Sequence, residues 1–99
     1  MKDYDYKKID TIFHSRIRLA VTSLLYHDES ADFTTIKERI GATDGNLTTH
    51  LRKMEESGYL SVEKSFVNRK PQTVYRLTEA GVDAFTSYIV QLEALLHPI

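Results

Sequence analysis

Apolar residues recur along this chain with two different periods, and the change of period marks its elements. In "SRIRLAVTSLLYH", Ile17, Val21, Leu24 and Leu25 form a stripe at helical spacing that Phe13 extends backward, and Ser15 stands where an N-cap belongs. "DESAD" breaks the pattern. "FTTIKERIG" reads as a short helix capped by Thr34 or Asp32, with Ile36 and Ile40 inward, Phe33 just before, and Gly41 as its stop. "GAT" is then a three-residue turn with Thr43 at the next N-cap. In "TDGNLTTHLRKMEESGY", Leu47, Leu51 and Met54 keep the helical period until Gly58.

The period then falls to two. "YLSVEKSFV" alternates Leu60, Val62, Lys64 and Phe66 against Ser61, Glu63 and Ser65, which predicts a strand. "NRKPQ" has turn composition, and "TVYRL" alternates as the return strand, so the pair makes a hairpin with a charged tip. Lys64 or Arg76 could pair with Glu63 across it. A last helix opens at Thr78 and carries Phe85, Tyr88, Ile89, Leu92, Leu95 and Leu96, with Pro98 beyond its end. Residues 1–9 read as a frayed lead-in or a short helix. The predicted fold is mainly α with a β-hairpin wing, in the order α-α-turn-α-β-β-α. Two helices about a short glycine-containing turn make a helix-turn-helix, and the hairpin after them makes it winged.

Length and composition narrow the classes. At 99 residues the chain suits one domain and one core. It has no cysteine, which excludes disulfides and thiolate metal sites. His14, His27, His50 and His97 are scattered without metal-ligand spacing, so neither metal nor cofactor is expected. No apolar run nears the ~20 residues of a membrane span, and "MKDYDYKKID" lacks a signal-peptide core; a cytoplasmic location is the expectation. No nucleophile elbow, phosphate loop or carboxylate pair argues for an enzyme. Net charge is −1, but from Lys37 to Arg76 there are eight Lys and Arg against five acids, while the rest holds five against nine. The middle of the chain is basic within an acidic frame.

The third helix carries the candidate chemistry. Its outward side offers Gly45, Asn46, Thr48, Thr49, Arg52 and Lys53, behind Thr43 at the cap. Glycine and threonine are poor choices for an exposed helix face, but short side chains let a helix enter the major groove. Asn46 can pair with adenine, the threonines can reach bases or phosphates, and Arg52 and Lys53 can meet the groove wall. Gly45 leaves room for a phosphate at the helix start. The plainer reading is that Gly45 and Asn46 are ordinary first-turn residues. His50, beside core Leu51, is expected to pack and hydrogen bond rather than touch DNA. At the wing, Asn68, Arg69 and Lys70 can reach a minor groove or phosphates, with Lys64 on the flanking strand; a solvated, solubilising turn is the alternative.

Residues 13–85, above all "TDGNLTTHLRKMEESGYLSVEKSF" and "TVYRLTEAG", resemble the small winged-helix DNA-binding domains of archaeal and bacterial regulators related to the MarR and ArsR groups. The resemblance implies a homodimer on a two-fold operator in double-stranded DNA, with Asp44–Ser57 as recognition helix and Ser65–Thr73 as wing. It departs from ArsR-like metal sensors in lacking their cysteine or histidine ligand motifs, and no residue names a small-molecule effector. Residues 1–99 are expected to form one such domain, with 86–97 as a dimerisation helix. Ile89, Leu92, Leu95 and Leu96 continue past what one core needs. With Tyr88, and with Leu19, Ser23 and Tyr26 from the first helix, they form the candidate dimer seam; folding back on their own domain is the alternative. A winged helix used for protein–protein assembly is the competing function, and a small RNA-binding module the third.

Overall fold

The computed structural model describes Tyr4 and residues 6–97. After two 3-10 turns, Tyr6–Lys8 and Thr11–Phe13, come α1 (Arg16–Asp28), β1 (Ala31–Asp32), α2 (Phe33–Ile40), α3 (Asp44–Glu56), β2 (Leu60–Val67), β3 (Lys70–Leu77) and α4 (Glu79–Leu96). Residues 1–3, Asp5, Pro98 and Ile99 lie outside the described residues.

Each helix starts where a short polar side chain can accept a bond from its first turn. Ser15 accepts from the Arg18 N–H, Asp32 from Thr35, Thr43 from Asn46 and Thr78 from Gly81. Such caps are each worth about 1 kcal/mol. Asp32, not Thr34, caps α2, and two separate hydrogen bonds to its carboxylate, from Thr35 and Gln72, hold its acidity above that of an ordinary aspartate. Gly41 ends α2 at φ 77°, a left-handed turn that lets α3 leave at once across α2.

The sheet has the order β1-β3-β2, all antiparallel. The sequence pattern misses β1, which is two residues long and pairs Ala31 with Tyr75 and Asp32 with Val74. It also makes the wing turn too wide. Val67 pairs with Lys70, so the loop is Asn68 and Arg69 alone, and both have positive φ (52° and 65°). That is the geometry of a type I′ turn, whose twist matches the strands it joins. Lys70, Pro71 and Gln72 therefore belong to β3. Glu63 faces Val74 and Lys64 faces Thr73, so neither proposed charge pair is directly cross-strand.

Two apolar clusters hold these parts. In the first, Val21 and Leu25 of α1, Ile36 of α2, Leu47, Leu51 and Met54 of α3 and Leu60 of β2 are all at most 3% exposed. Each such side chain stabilises the fold by about 1.5–3 kcal/mol, and three of the seven come from α3. In the second, Phe13 sits 4.9 Å from Tyr88 and 5.7 Å from Phe85, both on α4, and stacks on Tyr59 at 5.9 Å. The Tyr59 hydroxyl donates to Asp10 Oδ2 at 2.5 Å, and that bond, with burial, pushes the phenol up to about 12. The lead-in is thereby tied to the end of α3.

Candidate nucleic-acid interface

The inward side of α3 is spent on the core, and its outward side is open. Thr43, Gly45, Asn46, Thr48, Thr49, Arg52 and Lys53 are all exposed, while Leu47, Leu51 and Met54 are buried. A Cβ placed on Gly45 would meet nothing within 4 Å, so the first turn of α3 presents bare backbone to solvent. Two of the hydroxyls are already in use: Thr43 Oγ1 accepts from the Asn46 N–H at 3.2 Å, and Thr49 Oγ1 donates to the Gly45 carbonyl at 2.9 Å. Each keeps free bonding capacity for a further partner. The Asn46 side chain is exposed beside them.

Charge at the entry of α3 is balanced. Asp44, its first residue, meets Lys37 Nζ of α2 at 2.7 Å. Both partners are well exposed, so the pair adds little stability, but it neutralises the carboxylate at the helix start. The periodicity gives no sign of this pairing.

His50 lies on the flank of α3, half-buried. A guanidinium nitrogen of Arg18 lies 2.9 Å from His50 Nδ1, and Arg18 Nε donates to the Ile12 carbonyl at 2.5 Å. Guanidinium has no acceptor, so Nδ1 is the unprotonated nitrogen and the imidazole is neutral. Packing with a hydrogen bond is thus the role of His50 within the chain, and Arg18 is a positioning residue that sequence reasoning passed over. Burial, and then the charge of Arg18, lower the His50 pKa below 6.5. The unfolded chain consequently takes up a proton at a higher pH than the folded one does. The stability contribution is complete above about pH 6.5 and is lost as pH falls toward the folded-state value. Thermal melts should show Tm level above that pH and declining below it. His50→Gln, which retains an acceptor for Arg18, should flatten the decline.

Asn68, Arg69 and Lys70 are exposed at the wing tip and Lys64 is exposed on β2. The structure therefore presents both predicted sets to solvent, one on α3 and one on the wing, joined through the β2 strand that leaves α3.

The residues expected at a dimer seam divide into three groups. Tyr26, Ile89 and Leu96 are exposed, Leu19, Ser23, Leu92 and Leu95 are half-buried, and Tyr88 is turned inward against Phe13. Tyr26 on α1 lies 5.4 Å from Phe85 on α4, so the two helices meet along one side. Val90, 60% exposed, adds an apolar position that the sequence reading left out. No described helix is long and apolar enough to cross a membrane, and no three His, Asp or Glu among the described residues could hold a metal ion.

Comparison with known proteins agrees with this geometry. A family model described as a winged helix DNA-binding domain matches residues 17–96. An uncharacterised protein of Methanocaldococcus jannaschii is 38% identical over 81 residues, covering 82% of this chain and 88% of that protein. A transcriptional regulator homologue from Pyrococcus horikoshii OT3 superposes with a TM-score of 0.86 at 26% identity, over 97% of this chain and 95% of the other. A MarR-family transcriptional regulator from Silicibacter pomeroyi shares the fold, with a TM-score of 0.62 at 14% identity over 91% of this chain and 57% of its own. The family model and the Pyrococcus horikoshii fold thus cover nearly the whole of this four-helix, three-stranded chain, which belongs to the winged-helix DNA-binding domain family of transcriptional regulators.

Proposed function

We propose that this protein is a sequence-specific regulator that binds double-stranded DNA as a homodimer on a nearly palindromic operator. The observation that carries the reading is the outward face of α3, where Gly45, Asn46, Thr48 and Thr49 stand exposed over a helix start with no side chain of its own at Gly45. In this reading α3 enters the major groove, Asn46 and the threonines meet base edges, and Arg52 and Lys53 meet the groove wall. Lys64, Arg69 and Lys70 neutralise phosphates alongside. Control of transcription comes from occupancy of the site.

The dimer is supported by the apolar residues left on α4 and α1. Ile89, Val90 and Leu96 are solvent-exposed in the isolated chain, an arrangement that usually marks an interface. Two-fold pairing through residues 86–97, with Leu19, Ser23 and Tyr26 alongside, would set two recognition helices about 34 Å apart, one turn of duplex.

Selection of bound fragments from random duplex DNA tests the reading. A preferred, two-fold symmetric site is the expected result; absence of any preferred sequence would overturn base readout, and an asymmetric site would overturn the dimer. The wing is tested by salt. Binding should weaken as salt rises, with a log–log slope near −0.9 per phosphate contact. Replacing both Arg69 and Lys70 by Ala removes two cations, so the slope should become shallower by about 1.8. An unchanged slope would remove the wing tip from the phosphate contacts.

A further inference from the structure

The wing ends in an aromatic ring that the domain does not use. Phe66 is 77% exposed, the most exposed Phe of the described chain, and Val67 beside it is 47% exposed. Phe66 is six residues along β2 from Leu60, which is buried. At about 3.3 Å per residue that is roughly 20 Å of strand, so no rearrangement of side chains brings the ring into the core.

The pairing register shows which way it faces. Leu60 pairs with Leu77, Val62 with Tyr75, Lys64 with Thr73 and Phe66 with Pro71, and these alternate pairs share one face of the ribbon. At the base of the wing this face packs on the core beneath α3, through Leu60, Leu77 and Tyr75. Farther out it leaves the body and carries Lys64 and then Phe66 on the same side. The two-residue turn makes Val67 and Lys70 a hydrogen-bonded pair, so Phe66 and Pro71 form the next, non-hydrogen-bonded pair, where side chains come closest. The missing N–H of Pro71 then points to the sheet edge beyond the end of β1 and costs the ladder nothing. The register thus sets an aromatic ring beside a pyrrolidine ring at the outer end of the ribbon.

Charge identifies what such an apolar step would meet. From Lys64 to Gln72 there are three cations, Lys64, Arg69 and Lys70, and no acid. Two apolar side chains on one face, Phe66 and Pro71, are too few for a stable protein interface, and they offer less buried area than a membrane-surface helix uses. Duplex DNA combines a polyanionic rim with apolar deoxyribose and base faces in a narrow groove, and apolar side chains inserted there partly unstack a base step.

We propose that Phe66, backed by Pro71, is an apolar tooth that seats in the minor groove of the bound duplex, between the phosphate contacts of Lys64 and those of Arg69 and Lys70. The proposal rests on the reading of the protein as a duplex-binding regulator and adds a non-electrostatic contact to it. Seating the ring favours flexible pyrimidine–purine steps at the position the wing reaches, so Phe66 would influence site choice without a hydrogen bond to any base.

The test measures binding of the full chain, as wild type, Phe66→Ala, Phe66→Leu and Arg69→Ala. The duplexes are the tightest one recovered by the selection above and a shuffled one of the same composition. Phe66 supports no part of the core, so its variants should melt with the wild type. Phe66→Ala should weaken binding to the selected duplex by roughly tenfold, the scale of unburying a phenyl side chain, with the salt slope unchanged. Phe66→Leu should recover part of the loss, and Arg69→Ala should instead make the slope shallower. Wild-type affinity in Phe66→Ala would overturn the proposal while leaving the regulatory reading intact. A change of slope in Phe66→Ala as large as that of Arg69→Ala would overturn it too. So would binding of the wild type, but not of Phe66→Ala, to phosphatidylglycerol vesicles with DNA affinity untouched. A wild-type chain with no affinity for either duplex would overturn the regulatory reading and this proposal with it.

Discussion

Gly45→Leu is expected to keep the fold and lose the operator. The space around Gly45 is empty to 4 Å, so a side chain there strains nothing in the chain itself. Leucine is a better helix former than glycine by up to about 0.8 kcal/mol, and Tm should stay level or rise. For DNA the same change is a spacer. An isobutyl group on the first turn of α3 holds the Asn46 amide and the helix N–H groups away from the groove. Loss of one bidentate base contact is worth about 1–3 kcal/mol, or roughly fivefold to more than a hundredfold in affinity. Fluorescence anisotropy with the selected duplex, beside a thermal melt of the same sample, reads both quantities. Stability held with binding lost is the signature of a residue kept for its ligand. A variant that binds like the wild type would place the start of α3 outside the contact.

Gly81→Ala should do the opposite, damaging the fold from a site that touches no ligand. A Cβ on Gly81 would lie 2.3 Å from the Tyr59 carbonyl oxygen and 3.1 Å from its carbon. Helix propensity favours alanine by about 1 kcal/mol, but the atoms in the way are backbone and cannot rotate aside. The same carbonyl accepts the Thr78 N–H at 3.0 Å, while Thr78 Oγ1 donates to the Gly58 carbonyl at 2.6 Å and accepts from the Gly81 N–H at 3.0 Å. The start of α4 is fastened to the end of α3 at this point. Pushing α4 outward also loosens Phe85 and Tyr88 around Phe13. A net loss of about 1–3 kcal/mol is expected, which for a domain of this size is a drop in Tm of roughly 4–8 °C per kcal/mol. A melt indistinguishable from wild type would show that the two backbones separate freely.

These two glycines also mark what the sequence can convey. Local rules were legible: Ser15, Thr43 and Thr78 cap the helices that their positions suggest, Gly41 turns the chain, and Leu47, Leu51 and Met54 point inward. Those features depend on neighbours within one or two turns. Contacts between distant segments were not legible. A two-residue strand has no period to detect, so β1 shows only in the pairing of Ala31 and Asp32 with Tyr75 and Val74. Loop composition at Lys70, Pro71 and Gln72 suggests a five-residue turn, but pairing with β2 extends the strand through them. Arg18 and His50 meet across 32 positions of sequence, and nothing in either helix's pattern announces it. Alternation sets Phe66 on one face with Leu60 and Val62, as the register does, but it does not say how far the body extends under a strand. Its exposure is a tertiary fact.

The outer ribbon has a consequence for how such a protein can diversify. Beyond Val74 the hairpin has no third strand beside it, and from Lys64 to Pro71 every residue is exposed. Replacements on its strands leave folding almost untouched, whereas those at Leu51 or Gly81 do not. With the projection meeting DNA as proposed, descendants of this chain can acquire new targets by editing it, while the scaffold that carries it stays fixed.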